Sequence, residues 1–317
     1  MPAPEPSSAP TPVAAGAGSG RSRSLVIARW APAAVWLTLP LVAGPAFADA
    51  LADRSTSVVA TATIGLWGLW LVGLVAALAP STVSLTTMRI VFPASLLAAV
   101  GAAAAVSNHA GIGASVALGT TSLATVVSLW ATVGLVFVNG SSYGDERRFP
   151  LRPPGPVVLG PMEVLWLVMA ASTLAGPMLL AARQWVAGAI VTVVALVVDV
   201  IGVRALHQLS KRWLVFVPAG IVLVDRTVLL DAMLTLRQRV ASLRLAREDS
   251  DAFDLGAGAI GIQVELRLTE IGDIIPTPAR KDRHRMIEPV DVTSVRFCPT
   301  RPGWVLDAAR ERRFTVE

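Results

Sequence analysis

Charge is what this chain has least of. Only 15% of its 317 residues are Asp, Glu, Lys or Arg, against about a quarter in soluble domains. With 54% hydrophobic residues and a positive mean hydropathy, an ordinary soluble protein is excluded and a membrane protein is indicated. Lysine is almost missing. Lys211 and Lys281 stand among 27 basic residues, an arginine bias that goes with the abundant Ala and Gly of GC-rich coding. The one cysteine, Cys298, excludes an intrachain disulfide. His109, His207 and His284 are too scattered for metal-ligand spacing. No P-loop or nucleophile elbow occurs either. Neither a cofactor nor metal catalysis is therefore expected. The net charge of +5 is accounted for by arginines flanking membrane spans, so no nucleic-acid partner is expected.

Long apolar runs are present instead. A helix needs about 20 apolar residues to cross the hydrocarbon, and six stretches approach that length: Trp30 to Phe47, Ser57 to Ala79, Ile90 to Val106, Ala114 to Val138, Val157 to Ala182 and Trp185 to Val203. The first run follows Arg21, Arg23 and Arg29 and ends near Ala46-Phe47-Ala48, the layout of a signal peptide. At 18 residues it exceeds the usual apolar region of about 7 to 15, so an uncleaved span is expected. Ahead of it, residues 1–24 are rich in Pro, Ala, Ser and Gly and are expected to be a disordered tail.

The cations set the orientation. With the N-terminus inside, ten fall in cytoplasmic segments, from Arg21 to Arg212, and only Arg54 and Arg183 fall outside. This is a positive-inside bias with both termini cytoplasmic, in the inner membrane. The organisation expected is a tail (1–24), four spans (25–139), a Gly- and Pro-rich cytoplasmic loop (140–156), a transmembrane hairpin (157–206) and a cytoplasmic β-rich domain (207–317).

In that last part the pattern changes to strands. Arg212 to Val217 and Ile221 to Asp225 flank Pro218-Ala219-Gly220 as a β-hairpin. Further strands are expected at Met233 to Leu236, Val240 to Leu245, Ile262 to Leu268 and Val292 to Cys298. Ile262, Val264, Leu266 and Leu268 would form a buried face, and Gln263, Glu265 and Arg267 a wet one. Pro302 opens a closing helix that runs to about Arg313. The expected core is Trp213, Val215, Val217, Val264, Leu266, Val295, Phe297 and Trp304.

The hairpin Val157 to Val203, the basic junction into RWLVFVPAGIVLVD (Arg212 to Asp225) and the ending VRFCPTRPGWVLDAARER (Val295 to Arg312) resemble the membrane-anchored bacterial PH-like domain proteins, of an actinobacterial polytopic type. The resemblance covers about half the chain. It departs from the pattern in its four extra spans and in the long polar segment Glu270 to Glu288. It implies a small barrel closed by a helix and a scaffolding or membrane-surface role, without catalytic residues.

Three sets of residues invite function. Glu163 and Asp199 are the carboxylates within expected spans, with His207 two turns beyond Asp199 on the same helix face, a candidate intramembrane polar site. Lys211, Arg212, Arg280, Lys281, Arg283 and Arg285 would face the inner leaflet as lipid-headgroup contacts, each cation worth about 1 kcal/mol near an anionic surface. Gly256 to Gly261 matches GxGxxG, with Asp282 further on, but lacks a helix after it and reads as a turn. Gly65, Gly68 and Gly73 could pack helices closely. The functional expectation is a non-enzymatic membrane protein whose PH-like module binds a partner protein or the inner leaflet. The alternative is a small transporter or lipid-handling protein using Glu163 and Asp199. A reporter enzyme fused after Glu317 is expected to be active only in the cytoplasm; activity outside the membrane would overturn the topology.

Overall fold

The computed structural model describes residues 13–106, 111–277 and 288–317, with side chains from residue 20 onward. Its helices are α1 (Val13–Leu51), α2 (Thr56–Leu78), α3 (Thr82–Ala105), α4 (Ile112–Leu129), α5 (Ala131–Asn139), α6 (Gly155–Val158), α7 (Pro161–Ala181), α8 (Trp185–Ser210) and α9 (Pro302–Glu311). Among the described residues, six helical stretches are long and apolar enough to cross a membrane, making this a multi-pass membrane protein. Two boundaries differ from expectation. α1 extends back to Val13, into the stretch read as a tail, and the third span begins at Thr82 instead of Ile90.

The fourth span is broken. Trp130 takes an extended conformation (ψ 126°), so Ala114 to Val138 becomes α4 and the short helix α5. Apolar composition alone does not reveal such a break. On α5, Val133, Phe137 and Val138 enter the helix-bundle core, whereas Leu135 enters the core of the C-terminal domain.

Trp36 organises the bundle. Pro40 has no N–H to offer the carbonyl four residues back, which would leave the Trp36 oxygen unpaired in an apolar surrounding. The Trp70 indole supplies the missing donor at 3.0 Å, and the Trp36 indole returns a 2.7 Å bond to the Trp70 carbonyl. Trp36 then stacks on Phe92, with centroids 4.0 Å apart. Gly73 makes this possible, since a Cβ there would stand 2.4 Å from the Trp36 ring. Gly65 and Gly68 face open space, so only Gly73 of the three acts in close packing.

The C-terminal part is β-rich. Its strands are β1 (Arg147–Pro150), β2 (Trp213–Val217), β3 (Gly220–Val224), β4 (Met233–Leu236), β5 (Val240–Leu245), β6 (Phe253–Asp254), β7 (Val264–Ile274) and β8 (Val290–Phe297). They form two four-stranded sheets, β1-β2-β3-β4 and β5-β7-β8-β6, antiparallel except for β6 with β8. α9 closes the core with Val305, Leu306, Ala308 and Ala309. The expected hairpin is present, but the opposite face of β2 points inward: Leu214 and Phe216 are buried in the core, while Trp213 packs against the helix bundle. Both arms are apolar on both faces, so the sequence alone does not specify which face is buried. Trp304 is half-buried at the core margin, and Ile262 is exposed.

β1 comes from the loop at 140–156, which was expected only to divide the chain. It pairs with β2 over four residues, Arg147 with Phe216 through Pro150 with Trp213. Asn139 fixes its approach, donating to the Leu135 and Arg148 carbonyls and accepting from the Arg148 amide. Leu25 of α1 also packs on the domain core, Arg21 pairs with Asp307, and Arg147 with Glu311. The start of α1, the 140–156 loop and the C-terminal domain therefore share one end of the bundle.

The junction from α8 into β2 is held by a buried ion pair. Arg212 donates to Asp225 through Nε at 2.8 Å and Nη2 at 2.6 Å, and through Nη1 to the Arg152 carbonyl at 2.7 Å. Asp225 also accepts from the Thr227 amide and hydroxyl. Both side chains are essentially inaccessible, so Arg212 is not available as a lipid-headgroup contact. Asp225→Ala leaves that guanidinium buried and unpaired. It is expected to lose about 3 to 5 kcal/mol in denaturant unfolding of the full chain, with Arg212→Met/Asp225→Leu recovering most of it. A loss below about 1 kcal/mol, the range of an exposed pair, would show that the pair does not hold the junction.

Candidate functional site

The two intramembrane carboxylates do not converge. Glu163 lies in the first turn of α7, where it is exposed and accepts from the Gly160 amide at 2.8 Å, capping that helix. Asp199 accepts from Thr173 at 2.9 and 3.0 Å, tying α8 to α7. His207 turns to a third helix, with Nδ1 3.0 Å from Thr86 Oγ1 of α3. Each acidic group has a local structural partner.

Of the expected headgroup cations, Lys211 is exposed and Arg212 is buried. Arg280, Lys281, Arg283 and Arg285 lie outside the described residues, as do Asp282, His109 and His284. The GxGxxG stretch is a turn, with positive φ at Ala257, Gly258 and Gly261. It docks the 140–156 loop: Arg152 donates to the Ile260 carbonyl at 2.9 Å, and a Cβ on Gly155 would meet the Gly258 oxygen at 2.5 Å. Among the described residues, no group of three His, Cys, Asp or Glu could hold a metal. Cys298 is buried, and burial pushes its thiol up from the ordinary value against the opposing charges of Arg152 and Arg212. The thiol therefore stays protonated where a free cysteine begins to ionise.

Sequence reasoning missed three features. The first is Arg89, counted only as a cytoplasmic-side cation. It is half-buried on α3 beside Gly134 of α5, with its Nε enclosed and unpartnered. The second is Arg301, which reaches from the domain to Thr132 of α5 at 2.7 Å. The third is a polar groove of about 390 Å³ on the second sheet, lined by Arg244, Arg247, Ser250, Glu265, Arg267 and Ser294. Glu265, expected on the wet face, is buried there by bonds from Arg244 at 2.9 Å and Ser250 at 2.8 Å. The hydrogen bond to Glu265 raises the Arg244 pKa. Only Arg89 had a trace in the sequence, as a charge within an apolar stretch; the others depend on pairing across the fold. No family model, curated protein or solved structure matches the chain.

Local partners keep Glu163 and Asp199 in place. Glu163→Gln and Asp199→Asn are expected to preserve expression and thermal melting in detergent, while Glu163→Ala loses about 1 kcal/mol with the cap. Loss of a cellular phenotype in either amide variant at normal protein level would revive the transport reading.

Proposed function

We propose that the chain is a non-enzymatic protein of the cytoplasmic membrane, with both termini cytoplasmic, whose PH-like C-terminal domain rests its first sheet on the inner leaflet. The observation that carries this reading is the outward face of that sheet. Leu214, Phe216, Ile221 and Leu223 fill the core, so strand alternation turns Trp213, Val215, Val222, Val224, Leu234 and Leu236 to the other side. At one end of this face Trp213 packs on the helix bundle and Val215 is buried, so that end is covered. Toward the β4 edge the apolar character continues, and Leu234 and Leu236 are exposed (59% and 38%).

An apolar sheet face that begins at a transmembrane bundle suits the headgroup boundary. Exposed cations strengthen it: Arg204, Lys211 and Arg226 have no ion pair among the described residues. Each contributes about 1 kcal/mol near an anionic leaflet. The orientation follows from the arginine asymmetry, and the PH-like reading from two small sheets closed by a C-terminal helix.

The test uses the full chain in anionic nanodiscs, with an environment-sensitive fluorophore on Leu234→Cys. Cys298, a buried thiol, is replaced by Ser so that only the introduced cysteine takes label. Blue-shifted emission quenched by lipid-borne nitroxide is expected, with a water-like signal from Glu270→Cys. Equal, unquenched emission from both positions would remove the leaflet reading and leave the leucines to a partner protein.

A further inference from the structure

Arg89 is seven residues into α3, roughly 10 Å along the helix from its inner end at 1.5 Å per residue. Its Nε is enclosed without a partner, and no described residue offers an acceptor to either Nη. The guanidinium lies against α5, where a Cβ on Gly134 would stand 3.1 Å from Nη2. α5 occupies that place because the chain breaks at Trp130. One turn before Arg89, on the same side of α3, Thr86 holds His207 of α8 at 3.0 Å. Arg204 and Lys211 lie three and four residues from His207 on α8, exposed and without ion pairs among the described residues. The carboxylate at the inner end of α7, Glu163, is turned back on its own helix start.

The Arg89 charge is thus without a matching anion among the described residues. A guanidinium does not escape the cost by losing its proton, as a buried lysine can. An uncompensated charge in an apolar interior is unfavourable, and ionisable groups at such depth mark ligand positions. Of the three guanidinium nitrogens only Nε is fully enclosed without a partner, which leaves the Nη end of the planar fork for two parallel N–H bonds to one oxyanion.

We propose that Arg89, where α3 meets α5, binds a phosphate oxyanion, with His207 of α8 held one turn away by Thr86. The oxyanion comes from the headgroup of an anionic phospholipid or from a free phosphate species. The site is separate from the sheet face discussed above: it lies inside the bundle, and neither depends on the other.

The experiment uses the full chain purified in detergent and stripped of lipid, with thermal unfolding followed against added short-chain phosphatidylglycerol, short-chain phosphatidylcholine or inorganic phosphate. The parent is expected to gain several degrees in Tm with an anionic ligand and none with phosphatidylcholine, as binding to the folded state requires. A rise with phosphatidylglycerol alone assigns a lipid source; a rise with inorganic phosphate in the millimolar range assigns a free anion. Arg89→Met removes the uncompensated charge. The stripped variant is expected to melt at or above the parent and to need about tenfold more ligand, or to lose the response. Arg54→Gln, an exposed change at the opposite end of the bundle, should respond like the parent. If Arg89→Met does not fold, Arg89→Lys decides, because it keeps the charge and loses the fork: a weakened response supports the site. A parent without any anion-dependent rise, or Arg89 variants that respond as the parent does, would overturn it.

Discussion

A polar group withdrawn from water has to meet a partner, and this chain withdraws many. The carbonyl freed by Pro40 is met by the Trp70 indole, the first-turn amide at Gly160 by Glu163, and Asp199 by Thr173. Arg212 and Asp225 answer one another at the point where the last span becomes a strand. In each case the cost of leaving the group unpaired exceeds the modest net gain of an ordinary hydrogen bond, which is why these contacts fix geometry more than they add stability. Arg89 Nε, enclosed in the bundle, is one of the few groups for which the described residues supply no such answer.

The same constraint decides how the domain sits. β2 follows α8 without a linker, and a lone β-hairpin would leave the inner edge of β2 unpaired. The loop between α5 and α7 contributes β1 to that edge, and the helices and the domain exchange side chains. Leu25 and Leu135 enter the domain core, while Trp213 enters the bundle core. Arg301 and Thr132 add a polar contact at the same junction. The domain is therefore fixed at one end of the bundle, not suspended from a tether.

Much of this was legible in the residues, for identifiable reasons. The spans declared themselves because apolar runs of this length have no other use. β4, β5 and α9 fell where turn residues, β-branched runs and Pro302 put them. Three things were hidden. A strand as short as Arg147–Pro150, with two arginines and a proline, has no periodicity to detect. The inward face of β2 was ambiguous because WLVFV is apolar on both sides. The break at Trp130 sits inside an unbroken apolar run. Of the candidate site residues, Glu163 lies on α7 and Asp199 and His207 on α8, but the partners of Asp199 and His207 are on other helices and could not be read. Arg212 was misread because an arginine beside a membrane span usually faces headgroups. Here Asp225, thirteen residues later, buries it.

The central claim is that β1 clamps the domain to the bundle, and a cross-strand disulfide tests it most directly. Arg148 and Val215 stand opposite each other in the β1 and β2 register, where Cβ atoms about 4.5 to 5.5 Å apart allow a bridge with slight adjustment. Arg148→Cys and Val215→Cys are introduced with Cys298→Ser and a protease site in the Arg183 turn, and the protein is oxidised in native membranes and then cleaved. The account predicts that the two fragments stay joined on a denaturing, non-reducing gel and separate on reduction. Fragments that separate without reductant, as they would with Arg148→Cys alone, would contradict it.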